Sequence, residues 1–142
     1  MIRRLDHIGV AVRNLEQVKD LCTSVFKVDF PQPRIGSGDF KASWVQIGNI
    51  TIEFMEPVAK DGIIAKFLKR HGEGIQHICF EVDDIESEVE SYEANGIEVI
   101  EPKLRGKPGW RTAFFHPKCT LGILIELVQT IITQTKQERD HG

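Results

Sequence analysis

The feature that most constrains this chain is an internal repeat. The segment His7-Ile8-Gly9-Val10-Ala11-Val12-Arg13-Asn14-Leu15-Glu16 returns as His77-Ile78-Cys79-Phe80-Glu81-Val82-Asp83-Asp84-Ile85-Glu86, an offset of 70 in a chain of 142 residues. Self-similarity at a fixed offset is the mark of a duplicated supersecondary unit. Each copy reads as a strand of alternating character, a turn and a helix. Asn14 and Asp84 fall where a side-chain oxygen can accept from the free amides of a first helical turn. Helical spacing follows, with Leu15, Val18, Leu21, Cys22 and Val25 in one copy and Ile85, Val89, Tyr92 and Glu93 in the other. Asn95-Gly96 stops the second helix.

Each half then runs into β structure. Phe40 to Ile47 and Ile50 to Met55 flank Gly48-Asn49, a hairpin signal. Arg111 to Phe115 and Ile123 to Val128 flank the loop from His116 to Gly122. The stretches Pro31 to Gly38 and Pro102 to Gly109 read as irregular loops, and Gly62 to Arg70 as a short helix. The expectation is an α+β fold of two β-α-β-β-β modules with antiparallel strands. One domain spans residues 1–129, with modules at about 5–57 and 75–129, a linker helix at about 62–70 and a polar tail over 130–142.

Composition excludes several classes. Apolar residues make up 41% and charged residues 27%, enough of each for a packed core with a solvated surface. Eighteen Lys and Arg against 21 Asp and Glu leave a net charge of −3, which argues against a nucleic-acid footprint or a polybasic membrane anchor. No apolar run approaches the roughly 20 residues a membrane span needs. No apolar signal region follows Met1-Ile2-Arg3-Arg4. Cys22, Cys79 and Cys119 are unpatterned, which fits a reducing compartment and excludes a cysteine zinc site. The chain is therefore expected to be cytoplasmic. Phosphate-cradling glycine loops and a nucleophile elbow are both missing from it.

Strand parity sorts the remaining chemistry. Ile8, Val10 and Val12 share one face, as do Ile78, Phe80 and Val82, and these large apolar sets must pack on the helices. His7, Gly9 and Ala11, and likewise His77, Cys79 and Glu81, share the opposite face, which is small or polar and suits a cavity wall. Each module's last strand sets one carboxylate among apolar neighbours, Glu53 in the first and Glu126 in the second. A buried carboxylate needs a partner, a proton or a metal. His7 with Glu53 and His77 with Glu126 are two hydrogen-bonding pairs on the plainest reading. Together they also make a possible first shell for a divalent ion. His71 and His141 read as solvated, His116 either caps its turn or faces substrate, and Cys79 lacks a base at motif spacing. Lys103, Arg105, Lys107 and Arg111 bracket a Gly/Pro loop, either as a solvated face or as a holder of phosphate or carboxylate.

These modules resemble the vicinal oxygen chelate superfamily (glyoxalase, bleomycin resistance and dioxygenase proteins). Several stretches look most like the methylmalonyl-CoA epimerase family: Leu5 to Val12, Ile52-Glu53-Phe54-Met55-Glu56-Pro57, Ile64 to Leu68, Gly72 to Ile85, and His116-Pro117-Lys118 through Gly122 to Leu127. The resemblance covers about residues 5–129 and implies a cupped, mixed or antiparallel sheet around a metal site. It implies His7, Glu53, His77 and Glu126 as ligands of Zn, Co, Ni or Mn, with Glu126 and Glu53 as catalytic carboxylates. The implied activity is epimerisation at the α-carbon of a 2-substituted acyl-CoA by a homodimer. A glyoxalase-I-like lyase acting on a thiol adduct (the lactoylglutathione lyase type) and a non-catalytic small-molecule-binding protein are the alternatives. Some epimerases of this kind carry a carboxylate on the strand before the second ligand. Here that strand, Phe40 to Ile47, has none, and Asp39 lies only at its edge.

Overall fold

A computed structural model describes residues 1–36 and 38–130, so the polar tail expected beyond Thr130 lies outside the described residues. In chain order the elements are β1 (Ile2–Ala11), α1 (Leu15–Asp20), β2 (Arg34–Ile35), β3 (Phe40–Ile47), β4 (Ile50–Pro57), α2 (Ile63–His71), β5 (Gly74–Val82), α3 (Ile85–Ala94), β6 (Arg105–Lys107), β7 (Trp110–Phe115) and β8 (Leu124–Thr130). The class is α+β, and β1-α1-β2-β3-β4 matches β5-α3-β6-β7-β8 element for element. The chain divides into two compact units. One is His7–Gln76; the other is Met1–Asp6 together with the chain from His77 on, so β1 contributes to both.

In the first unit the strands lie in the order β2-β3-β4-β1. The two-residue turn Gly48-Asn49 pairs Ile47 with Ile50, as the hairpin signal requires. Antiparallel pairing throughout does not hold, however: β1 runs parallel to β4. The same departure recurs in the second unit, ordered β5-β8-β7-β6, where β5 runs parallel to β8. The reason is the intervening helix, because a strand–helix crossover returns the chain to the sheet in the direction it left. The short strands β2 and β6 fall in segments that read as loops, since two or three residues carry no periodicity.

Local chemistry explains the helices. The Asn14 side chain accepts from the Glu16 amide at 2.8 Å and Asp84 from the Ser87 amide at 3.2 Å, so both expected caps form. After Asp20 the first helix widens into a π-helical stretch, Leu21–Phe26, where the Lys27 amide reaches back to the Cys22 carbonyl. The wider turn breaks the expected apolar stripe. Leu15, Val18 and Cys22 are buried, whereas Leu21 is 41% and Val25 64% exposed.

The sheet faces sort as parity requires. Val12, Leu15, Val18, Cys22, Val45 and Phe54 form the helix-side core of the first unit. Its opposite face carries Ala11, Ala42 and Met55, and α2 covers that end with Ile64 and Leu68. The second unit packs Val82, Ile85, Val89, Val99, Ala113, Phe115 and Leu127 on its helix side.

Candidate metal centre

The duplication reaches the level of strand register. On the parallel pair β1/β4, Glu53 stands opposite Gly9, two residues along the same face from His7. On β5/β8, Glu126 stands opposite Cys79, two residues along the same face from His77. Both modules thus place a carboxylate diagonally from a histidine. The register of the parallel first and last strands sets this placement.

In the second unit the two groups meet. His77 Nε2 lies 3.4 Å from Glu126 Oε1, and both side chains are about nine-tenths or more buried. A direct N–H···O bond closes at roughly 2.7–3.2 Å. At 3.4 Å the two atoms are in ion-pair contact, somewhat beyond the commonest bond length. Phe114 stands opposite Glu126 on β7 and sets its ring 6.3 Å from the His77 ring, edge to face. Cys79 on the same face is completely buried. Farther along β5, Glu81 is buried and paired with Arg4, which also holds Asp6 at 2.9 Å.

In the first unit His7 is buried, and Glu53 is held from β3. Trp44 stands opposite Glu53 and donates its indole N–H to Oε2 at 2.9 Å. Trp44 was open to deduction from the hairpin, because counting back from Ile47↔Ile50 brings Trp44 to Glu53. Phe114 holds the corresponding place beside Glu126 and offers no donor. Trp44 helps to orient the Glu53 carboxylate.

The remaining histidines and basic residues sort clearly. His116 caps its turn, Nδ1 accepting from the Lys118 amide at 3.2 Å. His71 is exposed at the end of α2, its ring 4.8 Å from Phe67, and His141 lies outside the described residues. Ser43 points to the helix side and donates to the Pro31 carbonyl at 2.7 Å. The Asp39 carbonyl receives the Val58 amide at 2.9 Å, and the Asp39 side chain packs on Gly62, where an added methyl would meet its Cβ at 2.8 Å. Lys103 pairs with Glu93 and Arg111 with Glu86, while Arg105 turns onto the Phe114 ring.

The chain is similar to known proteins in both sequence and fold. The Glyoxalase/Bleomycin resistance protein/Dioxygenase superfamily matches residues 6–114. The mitochondrial methylmalonyl-CoA epimerase of Dictyostelium discoideum is 35% identical over 130 residues, which cover 89% of this chain and 78% of that protein. The ethylmalonyl-CoA/methylmalonyl-CoA epimerase of Cereibacter sphaeroides is 34% identical over 91% of this chain and 99% of its own length. Among solved structures, a variant of Streptomyces coelicolor methylmalonyl-CoA epimerase in complex with 2-nitronate-propionyl-CoA superimposes with a TM-score of 0.82 at 25% identity, over 95% of this chain and 99% of that one.

Proposed function

The chain belongs to the Glyoxalase/Bleomycin resistance protein/Dioxygenase superfamily, and from that premise we propose that it is a metal-dependent epimerase moving the α-proton of a 2-substituted acyl-CoA such as methylmalonyl-CoA. The observation that carries this reading is the duplicated register, a strand histidine with a carboxylate diagonal to it in each module. The epimerase relatives support the substrate class.

We assign His7, Glu53, His77 and Glu126 as the ligand set of a divalent ion, Zn, Co, Ni or Mn. The donors fit such an ion: two imidazoles and two carboxylates, with His7, His77 and Glu126 out of water. The ion, when bound, supplies Lewis-acid polarisation of the thioester carbonyl. The chain's own groups move the proton. Glu126 takes it from the α-carbon, the C–H electron pair passes toward the thioester carbonyl, and return of a proton to the opposite face gives the epimer. Glu53, which accepts from the Trp44 indole, is the second carboxylate of the reaction.

Further features of the proposal follow the same logic. None of Cys22, Cys79 and Cys119 is in a disulfide, in keeping with the cytoplasmic setting of this proposal. Among the described residues no helix is long and apolar enough to cross a membrane. A homodimer is the proposed assembly, checked by a light-scattering mass of two chains. The deciding experiment is α-proton exchange in deuterated water with methylmalonyl-CoA, comparing metal-stripped protein with protein given Co²⁺, Zn²⁺ or Mn²⁺. Exchange that requires the metal is the expected result; no exchange with metal bound overturns the substrate assignment.

A further inference from the structure

Among the described residues two cations of this loop, Arg105 and Lys107, form no ion pair, and of these Arg105 alone turns onto an aromatic ring. Lys103 and Arg111 are paired with carboxylates on α3, but among the described residues Arg105 has no carboxylate partner. In the β6/β7 register Arg105 stands opposite Thr112, and Thr112 stands opposite Val128 on β8. Side chains at paired positions leave a sheet on the same side, so Arg105 shares the face that carries Glu126. Its guanidinium carbon lies 5.4 Å from the centre of the Phe114 ring, the same ring that contacts His77 edge to face. One nitrogen donates to the Glu101 carbonyl at 2.9 Å. Nε is buried with no hydrogen-bond partner, alone in this among the buried side-chain nitrogens and oxygens of the described residues.

A buried donor on a permanently charged group is costly to leave unpaired, and an arginine fork is matched geometrically by a carboxylate. We propose that Arg105 reads the free carboxylate of the substrate, selecting acyl thioesters that carry a second carboxylate on the α-carbon. This deepens the epimerase reading and rests on it. Nε is covered in the free protein, so the guanidinium turns off the Phe114 ring to meet the incoming oxygen. Selection works through charge and hydrogen bonding, and a neutral thiol adduct of the same size gains nothing from it.

The test uses the metal-loaded protein and three probes: methylmalonyl-CoA, methylmalonyl-pantetheine, which has the carboxylate and lacks the nucleotide phosphates, and propionyl-CoA, which has the phosphates and lacks the carboxylate. Arg105→Gln is expected to raise KM and Kd for both methylmalonyl thioesters by about tenfold to a hundredfold, the range of a lost charge-assisted bond. Its Kd for propionyl-CoA stays at the wild-type value, and Arg105→Lys recovers part of the loss. The Arg105 Nε–H resonance of the wild type shifts with methylmalonyl-pantetheine and not with propionyl-CoA. Equal weakening for propionyl-CoA, or a loss seen with methylmalonyl-CoA and absent with the pantetheine thioester, shows that the arginine serves the fold or the phosphates and overturns the assignment. So does no loss at all, or a wild type that fails to bind methylmalonyl thioesters. A wild type that binds them, loses that binding in Arg105→Gln and exchanges no α-proton overturns the epimerase reading and leaves the carboxylate assignment standing.

Discussion

Replacing Trp44 by Phe separates the two carboxylates of the proposed centre. The substitution keeps an aromatic ring on β3 and removes one donor, the indole N–H that reaches Glu53 Oε2 at 2.9 Å. A hydrogen bond to a charged group contributes about 1.5–3 kcal/mol. Trp44 and Glu53 are both only partly buried, and water replaces some of the loss, which puts the expected effect near the low end, about 1.5 kcal/mol or roughly a tenfold change in an equilibrium. Because Glu53 is a proposed ligand, the loss falls on metal affinity: outer-shell partners of metal ligands are worth about 10–100-fold. Titration of the stripped variant with Co²⁺, against a chelator of known affinity, measures it directly. The expected result is Co²⁺ affinity weakened about tenfold, with an unchanged far-ultraviolet circular dichroism spectrum. Wild-type metal affinity in a folded Trp44→Phe protein would refute the reasoning, since Glu53 would then need no orientation from β3 or would not be a ligand.

Glu126→Gln is expected to abolish α-proton exchange while weakening metal binding only in part; full activity in that variant removes Glu126 from the mechanism. Phe115→Ala empties a fully buried site in the second unit's core, next to the Tyr92 ring at 4.8 Å, and should cost about 3–5 kcal/mol in urea unfolding, with a loss below about 1 kcal/mol contradicting the packing described. A thiol reagent added to native protein should modify Cys119 first, because Cys22 and Cys79 are buried and burial pushes the Cys22 thiol upward; fast reaction of all three thiols without denaturant would contradict this. The Lys118 ammonium, bonded to Glu98 at 2.7 Å, holds that carboxyl below its ordinary value near 4.5. The small stabilisation from this exposed pair is present above the unfolded value and is lost as pH falls through the folded one. A carbon-detected titration should show the Glu98 midpoint rising in Lys118→Gln, and an unmoved midpoint would dismiss the pair.

Much of this molecule is legible in its residues, for a local reason. Caps at Asn14 and Asp84, the stop at Asn95-Gly96, the hairpin at Gly48-Asn49 and the turn capped by His116 depend on contacts between near neighbours in the chain. The repeat adds long-range content, since two like segments fold alike, and it brought His7, Glu53, His77 and Glu126 forward as a set. What stayed hidden depends on partners far along the chain. Parallel pairing of β1 with β4 and β5 with β8 is decided by crossover geometry, and it is this pairing that fixes each carboxylate diagonal to its histidine. The exposure of Leu21 and Val25 follows from a π-helical turn that no apolar spacing announces. The inward turn of Arg105, among three other basic residues of its loop, is set by the β6/β7 register and the ring of Phe114. Sequence alone determined the duplicated modules, their caps and turns, and the recurrence of one strand histidine and one strand glutamate in each, because near-neighbour chemistry and repetition are written along the chain. Tertiary structure alone decided strand direction, the partners of Glu53 and Glu126, and the direction of Arg105, because those are settled by which strands lie side by side.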